Sequence, residues 1–122
     1  MVGAIVVTGG GAAVGAPALA SDRRRKRNVE DINNEKVLKK LAALDISSWS
    51  YDWEGDGIRH IGPMAQDFYS TFQLGNDDKK IEVVDAAGVL YAAVQELYSQ
   101  MKDRDKKISE LERKLAELER GK

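Results

Sequence analysis

The chain has 122 residues, enough for one small domain and an extended element. It contains no cysteine and one histidine, His60, which excludes disulfides, thiolate sites and histidine-based zinc clusters. The formal net charge is −1, which predicts no general attraction to nucleic acid or to an anionic membrane. We therefore expect no metal, cofactor, nucleic-acid or membrane partner.

Residues 1–20 carry no charged side chain and are rich in glycine, alanine and valine. Their end, Ala18-Leu19-Ala20, resembles a signal peptidase site, but no lysine or arginine precedes the apolar stretch. The glycines around Gly9 lack the spacing and the following strand–helix units of a dinucleotide site. We expect residues 1–20 to be the tail of a preceding passenger domain or an added segment.

The next elements are predicted by periodicity. Asn33 or Asn34 can cap a helix that ends near Leu44, with apolar residues on one face. A half-buried strand is predicted where apolar and polar residues alternate, at Trp49, Tyr51 and Trp53. The turn after it is Gly55-Asp56-Gly57, and the second strand of the hairpin is predicted at Ile58 to Ile61. Pro63 can start a short helix that ends near Phe72.

The last third of the chain is predicted to be one long helix. Ile81 to Val84 is predicted as a short strand, and Asp85 as the N-cap of a helix from Ala86 onward. Apolar residues then recur at alternating steps of four and three, which is the heptad pattern of a coiled coil. These seam residues are Leu90, Val94, Leu97, Met101, Ile108, Leu111, Leu115 and Leu118.

Charges beside the seam favour a parallel assembly. Lys107 and Lys114 occupy g positions and face Glu112 and Glu119 at e positions of a neighbouring helix. Arg104 alone interrupts the apolar series, and it can loosen the seam or bind an anion. The seam does not decide between dimer and trimer, and a single solvated helix is the lesser alternative.

Two further motifs have simpler interpretations. Asp52 to Gly57 resembles the start of a calcium loop, but Pro63 stands where the bidentate glutamate is needed. The run from Arg23 to Arg27 could contact DNA, but a zipper-type binder needs its basic region continuous with the coiled coil. We interpret the first motif as a hairpin turn and the second as a solvated basic turn.

Ser21 and Lys26 are the one pair of residues whose types and spacing indicate a possible catalytic site. They lie in S-D-x-x-x-K-x-N, together with Asp22 and Asn28. A lysine can act as general base for a serine hydroxyl when burial or neighbouring cations lower its pKa, and arginines flank this one. An ordinary capped turn is the alternative interpretation of the same residues.

Several motifs in order resemble the C-terminal intramolecular chaperone domain of phage endosialidases, tailspikes and tail fibres. They are SDRRRKRNV (21–29), VLKKLAAL (37–44), Trp49 to Trp53, RHIGPMAQDFY (59–69) and VDAAGVLYAAVQELY (84–98), followed by the coiled coil. The resemblance implies an α+β fold, in which a small helix–hairpin–helix part precedes a parallel trimeric coiled coil. It divides the chain into a tail (1–20), a globular part with the cleavage motif (21–85) and a coiled-coil helix (86–122).

The resemblance also implies a function. The domain would drive homotrimerisation and folding of an upstream fibrous passenger, and then cut itself free between Ala20 and Ser21. Ser21 and Lys26 would form the catalytic dyad of a self-cleaving serine peptidase, supported by Asp22, Asn28 and His60. The expected setting is a phage virion precursor in host cytoplasm or a bacterial surface protein; a non-cleaving trimerisation or adhesion cap and a DNA-binding coiled-coil protein are the alternatives.

Overall fold

The computed structural model describes Ala18 and residues 20–121. The predictions for residues 1–17 and Leu19, including the glycine-rich stretch, lie outside the described residues. The chain divides into two compact units, one ending at Ile32 and the other beginning at Asn33. Among the described residues, the first unit contains one 3-10 turn, Arg23–Arg25, and the second contains the α-helices and strands described below.

Helix α1, Asn34–Ala43, confirms the first predicted helix. The Asn33 side chain accepts a hydrogen bond from the Lys36 backbone N–H at 3.0 Å, which caps the first turn. The chain leaves helical geometry at Leu44. The apolar face is half-buried and consists of Val37, Leu38, Leu41 and Leu44.

A two-stranded antiparallel hairpin follows α1, with strand β1 at Ser47–Trp49 and strand β2 at His60–Gly62. Trp49 pairs with His60, and the Trp49 indole N–H donates to the Gly62 carbonyl at 3.3 Å. The predicted strand through Trp53 is therefore wrong beyond Trp49. Two consecutive turns replace it, closed by Glu54 N–H to Tyr51 carbonyl (3.3 Å) and Ile58 N–H to Gly55 carbonyl (3.0 Å).

Helix α2 spans Ala65–Phe72, two residues later than a start at Pro63 would give. Its only buried residue is Phe68, which is 4% exposed. Gln73 ends the helix in the left-handed region, with φ of 56°. The following loop passes close to the next helix, because a Cβ at Gly75 (φ 84°) would lie 3.6 Å from an Asp85 carboxylate oxygen.

Helix α3 spans Val83–Arg120, 38 residues, or about 57 Å at the usual rise. It corrects two predictions, since Val83 and Val84 are helical rather than extended and the N-cap is Glu82 rather than Asp85. A short apolar run fits either state. In the described part of the chain the only sheet is the β1–β2 pair, so the run has no strand beside it.

Helix α1 packs on the first turns of α3. Val89, Ala92 and Ala93 of α3 are buried on one face, at the spacing of successive helical turns. The Asn34 amide donates to the Gln95 side-chain oxygen at 3.1 Å across this contact. The packing uses a different face of α3 from the predicted seam, and the seam residues are exposed.

Candidate cleavage site and helix seam

Ser21 and Lys26 are in direct contact. Nζ of Lys26 lies 2.8 Å from Oγ of Ser21, and the ammonium donates the hydrogen bond. Both residues and the preceding Ala20 are exposed. The structure thus places an amine against a hydroxyl that lies next to the Ala20–Ser21 peptide bond.

A short turn between the two residues produces this contact. The Asp22 carboxylate accepts from the Arg24 backbone N–H at 2.9 Å and from its guanidinium at 3.1 and 3.3 Å. The Arg25 N–H donates to the Asp22 carbonyl at 2.9 Å, and the Lys26 N–H donates to the Arg23 carbonyl at 3.2 Å. The cap of the turn is therefore Asp22, which leaves the Ser21 hydroxyl free to meet Lys26.

The charge on Asp22 is stabilised locally. The side-chain hydrogen bond from Arg24, and then the one from its backbone N–H, hold the pKa of the Asp22 carboxyl below its usual value. Asp22 stays ionised over a wider pH range, and with it the cap of the turn. The contacts of Asp22 run to Arg24 and the turn backbone, so its side chain stabilises the turn.

Asn28 lies at a bend two residues after Lys26, with φ of 56°. This left-handed conformation is costly for most L-residues and is tolerated best by glycine, asparagine and aspartate. The backbone thus explains an asparagine at this position. It turns the chain away directly after the Ser21–Lys26 pair.

His60 lies in the second unit, where it belongs to an aromatic cluster. Its Nε2 lies 2.7 Å from Oε1 of Glu54, and its ring is 5.0 Å from both the Trp49 and Tyr51 rings, centroid to centroid. The same Glu54 oxygen accepts from the Tyr51 backbone N–H at 2.8 Å. Glu54 thereby ties the loop to strand β2.

Sequence reasoning missed the role of Glu54. The side chain of Glu54 is 16% exposed, against 36% for His60. The calcium-like spacing drew attention to the acidic residues of this loop as a group, and it gave no reason to single out this one. A carboxylate six residues before the only histidine, across a predicted turn, was the available signal.

The predicted seam forms a continuous exposed stripe along α3. Leu90, Val94, Leu97, Met101, Ile108, Leu111, Leu115 and Leu118 are each between 52% and 69% exposed. A long exposed apolar stripe of this kind is typical of protein–protein contacts. The side chain of Arg104, within the stripe, is exposed as well.

The charges that flank the seam are available to a neighbour. Within the described part of the chain, Lys107, Lys114, Glu112 and Glu119 take no part in any ion pair. Arg113 and Glu117, which lie off the seam, pair within the helix at 2.8 Å.

Residues 21–74 match the sequence model of a peptidase family described as "chaperone of endosialidase". This segment belongs to the chaperone-of-endosialidase family. The match begins at Ser21 and ends after α2. The family description supports a chaperone function for the segment, and its peptidase class suggests self-cleaving activity. No curated protein matches the chain.

The residues that the structure describes include neither a metal-binding cluster nor a membrane-spanning helix. There is no cluster of three or more histidine or acidic side chains that could hold a metal ion. Among the described helices, none combines the length and the apolar character needed to cross a membrane.

Proposed function

We propose that this chain is an intramolecular chaperone that trimerises, guides the folding of an upstream fibrous passenger, and cuts itself free between Ala20 and Ser21. The contact of Ser21 Oγ with Lys26 Nζ at 2.8 Å carries the cleavage part of the proposal. The family match, which begins at Ser21, supports both parts.

The proposed reaction needs only groups of this chain and water. With Lys26 neutral, Nζ accepts the Ser21 hydroxyl proton while Oγ attacks the Ala20 carbonyl carbon. The tetrahedral intermediate collapses by breaking the C–N bond, and Lys26 returns the proton to the departing amine of Ser21. Water then hydrolyses the ester between Ala20 and Ser21 Oγ, giving a new carboxyl group at Ala20 and a free Ser21 hydroxyl.

The proposed chaperone action follows from the order in which fibres assemble. Chains whose core forms only between copies must associate before they can fold. A parallel seam from Leu90 to Leu118 would hold the passenger strands in register and raise their effective concentration. The count of three comes from the resemblance. The proposed coiled-coil part (86–122) lies in α3 as far as Arg120, and α3 begins earlier, at Val83.

Cleavage after assembly would make the folding of the passenger irreversible. Once the registering element has left, the folded passenger cannot return by the same route, so it is trapped kinetically. The proposal therefore couples two features of the chain, the Ser21–Lys26 pair and the seam.

The test is a mass measurement on the chain joined to its natural passenger. We expect the wild type to yield a fragment that begins at Ser21, identified by intact mass and N-terminal sequencing. Ser21→Ala and Lys26→Ala should each remain uncut yet still assemble, because neither residue belongs to the seam.

Lys39→Ala is the matched control, since it removes an exposed cation of α1 that takes no part in the Ser21–Lys26 contact. We expect it to be cut like the wild type. A wild-type product that stays whole, or a Lys26→Ala variant cut at the wild-type rate, would show that the dyad is wrong.

A further inference from the structure

The second unit carries an apolar cleft that the cleavage site and the seam do not use. It has a volume of about 680 Å³, and its apolar lining includes Trp49, Tyr51, Trp53, Ile61, Met64 and Ile81. The rings of Tyr51 and Trp53 stack at 4.3 Å with an angle of 12°. Trp53 is 76% exposed and Ile61 is 78% exposed, so the cleft offers large apolar side chains to solvent. A rigid aromatic surface of this kind is typical of an interface.

The cleft is continuous in sequence with the seam. Ile81 and Glu82 line it, and α3 begins at the next residue, Val83. Val83 is 68% exposed and lies seven residues before Leu90, at the equivalent heptad position. A parallel, in-register assembly through α3 therefore brings the clefts of all copies to the same end of the bundle.

Charges around the cleft are arranged for contact between different patches. Lys79 and Lys80 line it, while the hairpin turns carry the exposed Asp52 and Asp56. Within the described residues no ion pair joins these two lysines to these two aspartates, and Lys79 pairs with the adjacent Asp78 at 3.6 Å. A cyclic assembly brings two different patches of the same chain together, so the two sets can meet between copies.

The part of the second unit that precedes α3 (residues 33–82, here the head) also lacks a sufficient core of its own. Among the described residues, only Phe68, Val89, Ala92 and Ala93 are buried hydrophobic residues. Two of these four are alanines, and one large side chain, Phe68, comes from the head. So little burial does not offset the conformational entropy of ordering the head, which points to burial against another chain.

We propose that the cleft receives the head of a second copy of this chain, so that each copy closes the cleft of its neighbour. The inference rests on the proposed assembly through α3, and it adds a second contact outside the seam. The assembled heads then share one apolar core, with lysines 79 and 80 of one copy near aspartates 52 and 56 of the next.

Single cysteines test this directly, because the chain has none of its own. Ile61→Cys places a thiol in the cleft, and Ile46→Cys is the matched control, 53% exposed and outside both cleft and seam. In the assembled protein we expect the cleft thiol to react with a maleimide at least about tenfold more slowly than the control thiol. In a seam-broken variant, Leu111→Asp with Leu115→Asp, the two thiols should react at similar rates.

Sedimentation of the same samples separates this inference from the proposed function. An assembled protein whose two thiols react alike would overturn the cleft contact and leave the seam standing. A cleft thiol that stays protected in the seam-broken monomer would overturn it as well, because the chain would then cover its own cleft. A monomeric wild type would overturn both proposals.

Tryptophan fluorescence gives a second readout without a cysteine. The chain has two tryptophans, Trp49 and Trp53, and both line the cleft. We expect acrylamide to quench the assembled wild type less than the seam-broken variant, with Trp53→Phe removing most of the difference. Equal quenching of the wild type and the seam-broken variant would contradict the proposal.

Discussion

Leu111→Ala is the most direct perturbation of the proposed seam. Leu111 lies in the part of α3 beyond the contact with α1, so no described tertiary contact within the chain should change. Alanine also favours the helix at least as well as leucine does. The loss should therefore fall on assembly and leave the folding of the single helix unaffected.

The magnitude follows from the exposed fraction of the side chain. Leu111 is 64% exposed in the single chain. Full burial of a leucine contributes about 1.5–3 kcal/mol, so closing the seam over the exposed part contributes about 1–2 kcal/mol per chain. The free energy of association of three chains therefore becomes less favourable by about 3–6 kcal/mol. The association constant for the trimer falls by a factor of about 100 to 10,000. Since the association constant scales with the inverse square of the midpoint concentration, the midpoint should rise about 10- to 100-fold.

Sedimentation equilibrium over a concentration series measures that midpoint. Lys106→Ala is the matched control, because Lys106 is an exposed residue of α3 on the face away from the seam. We expect its midpoint to stay within about twofold of the wild type, as is usual for surface changes. Equal midpoints for Leu111→Ala and Lys106→Ala would refute the seam as the contact between chains.

Three further predictions concern single residues. Asn28→Ala should slow cleavage and Asn28→Gly should not, measured by the rate of fragment release, because alanine disfavours the left-handed bend at φ 56°. Arg104→Leu should lower the midpoint concentration for assembly, because it removes a charge from the apolar seam; an unchanged midpoint would place Arg104 outside it. Burial, and then the Glu82 carboxylate, raise the pKa of Asp85 in the folded chain. The folded state therefore binds this proton more tightly than the unfolded state, and its contribution to stability should grow as pH falls through the raised pKa. Asp85→Asn should lack that contribution in thermal unfolding between about pH 7 and pH 4.

The elements with strong local signals were predicted well. Helix α1 has its capping asparagine and its apolar face within twelve residues of sequence, and the cap falls at Asn33, one of the two predicted positions. The long helix was predicted from its heptads, which Arg104 alone interrupts. In both cases the deciding interactions lie within a few residues of each other, so the sequence pattern carries them.

The misplaced elements depend on contacts that the local pattern does not contain. Trp49, Tyr51 and Trp53 alternate as in a strand, yet Glu54 binds the Tyr51 backbone N–H and His60, which fixes a turn instead. The run from Ile81 to Val84 was predicted as a strand. A strand needs a neighbouring strand to pair with, and the described part of the chain places none beside this run. Its last two residues instead begin α3 at Val83.

The candidate site was predictable as a set of residues and not as a geometry. A serine and a lysine five residues apart occur in many sequences, and only the resemblance singled this pair out. The 3-10 turn that brings Nζ to Oγ depends on Asp22 acting as the cap, whereas the sequence equally allowed Ser21 to do so. The cleft is likewise lined by residues far apart in the sequence, from Trp49 to Glu82, so no local pattern predicts it.

The central claim is that Ser21 reacts only after the seam has closed. It is tested most directly by measuring, in the same samples of the passenger-linked chain, the fraction cut at Ala20–Ser21 and the fraction assembled. We expect the assembled fraction and the cut fraction to rise together as the protein concentration is raised. The double substitution Leu111→Asp with Leu115→Asp should abolish both assembly and cleavage. Monomers cut at Ser21 as fast as the assembled wild type would contradict it, and so would an assembled wild type that stays whole.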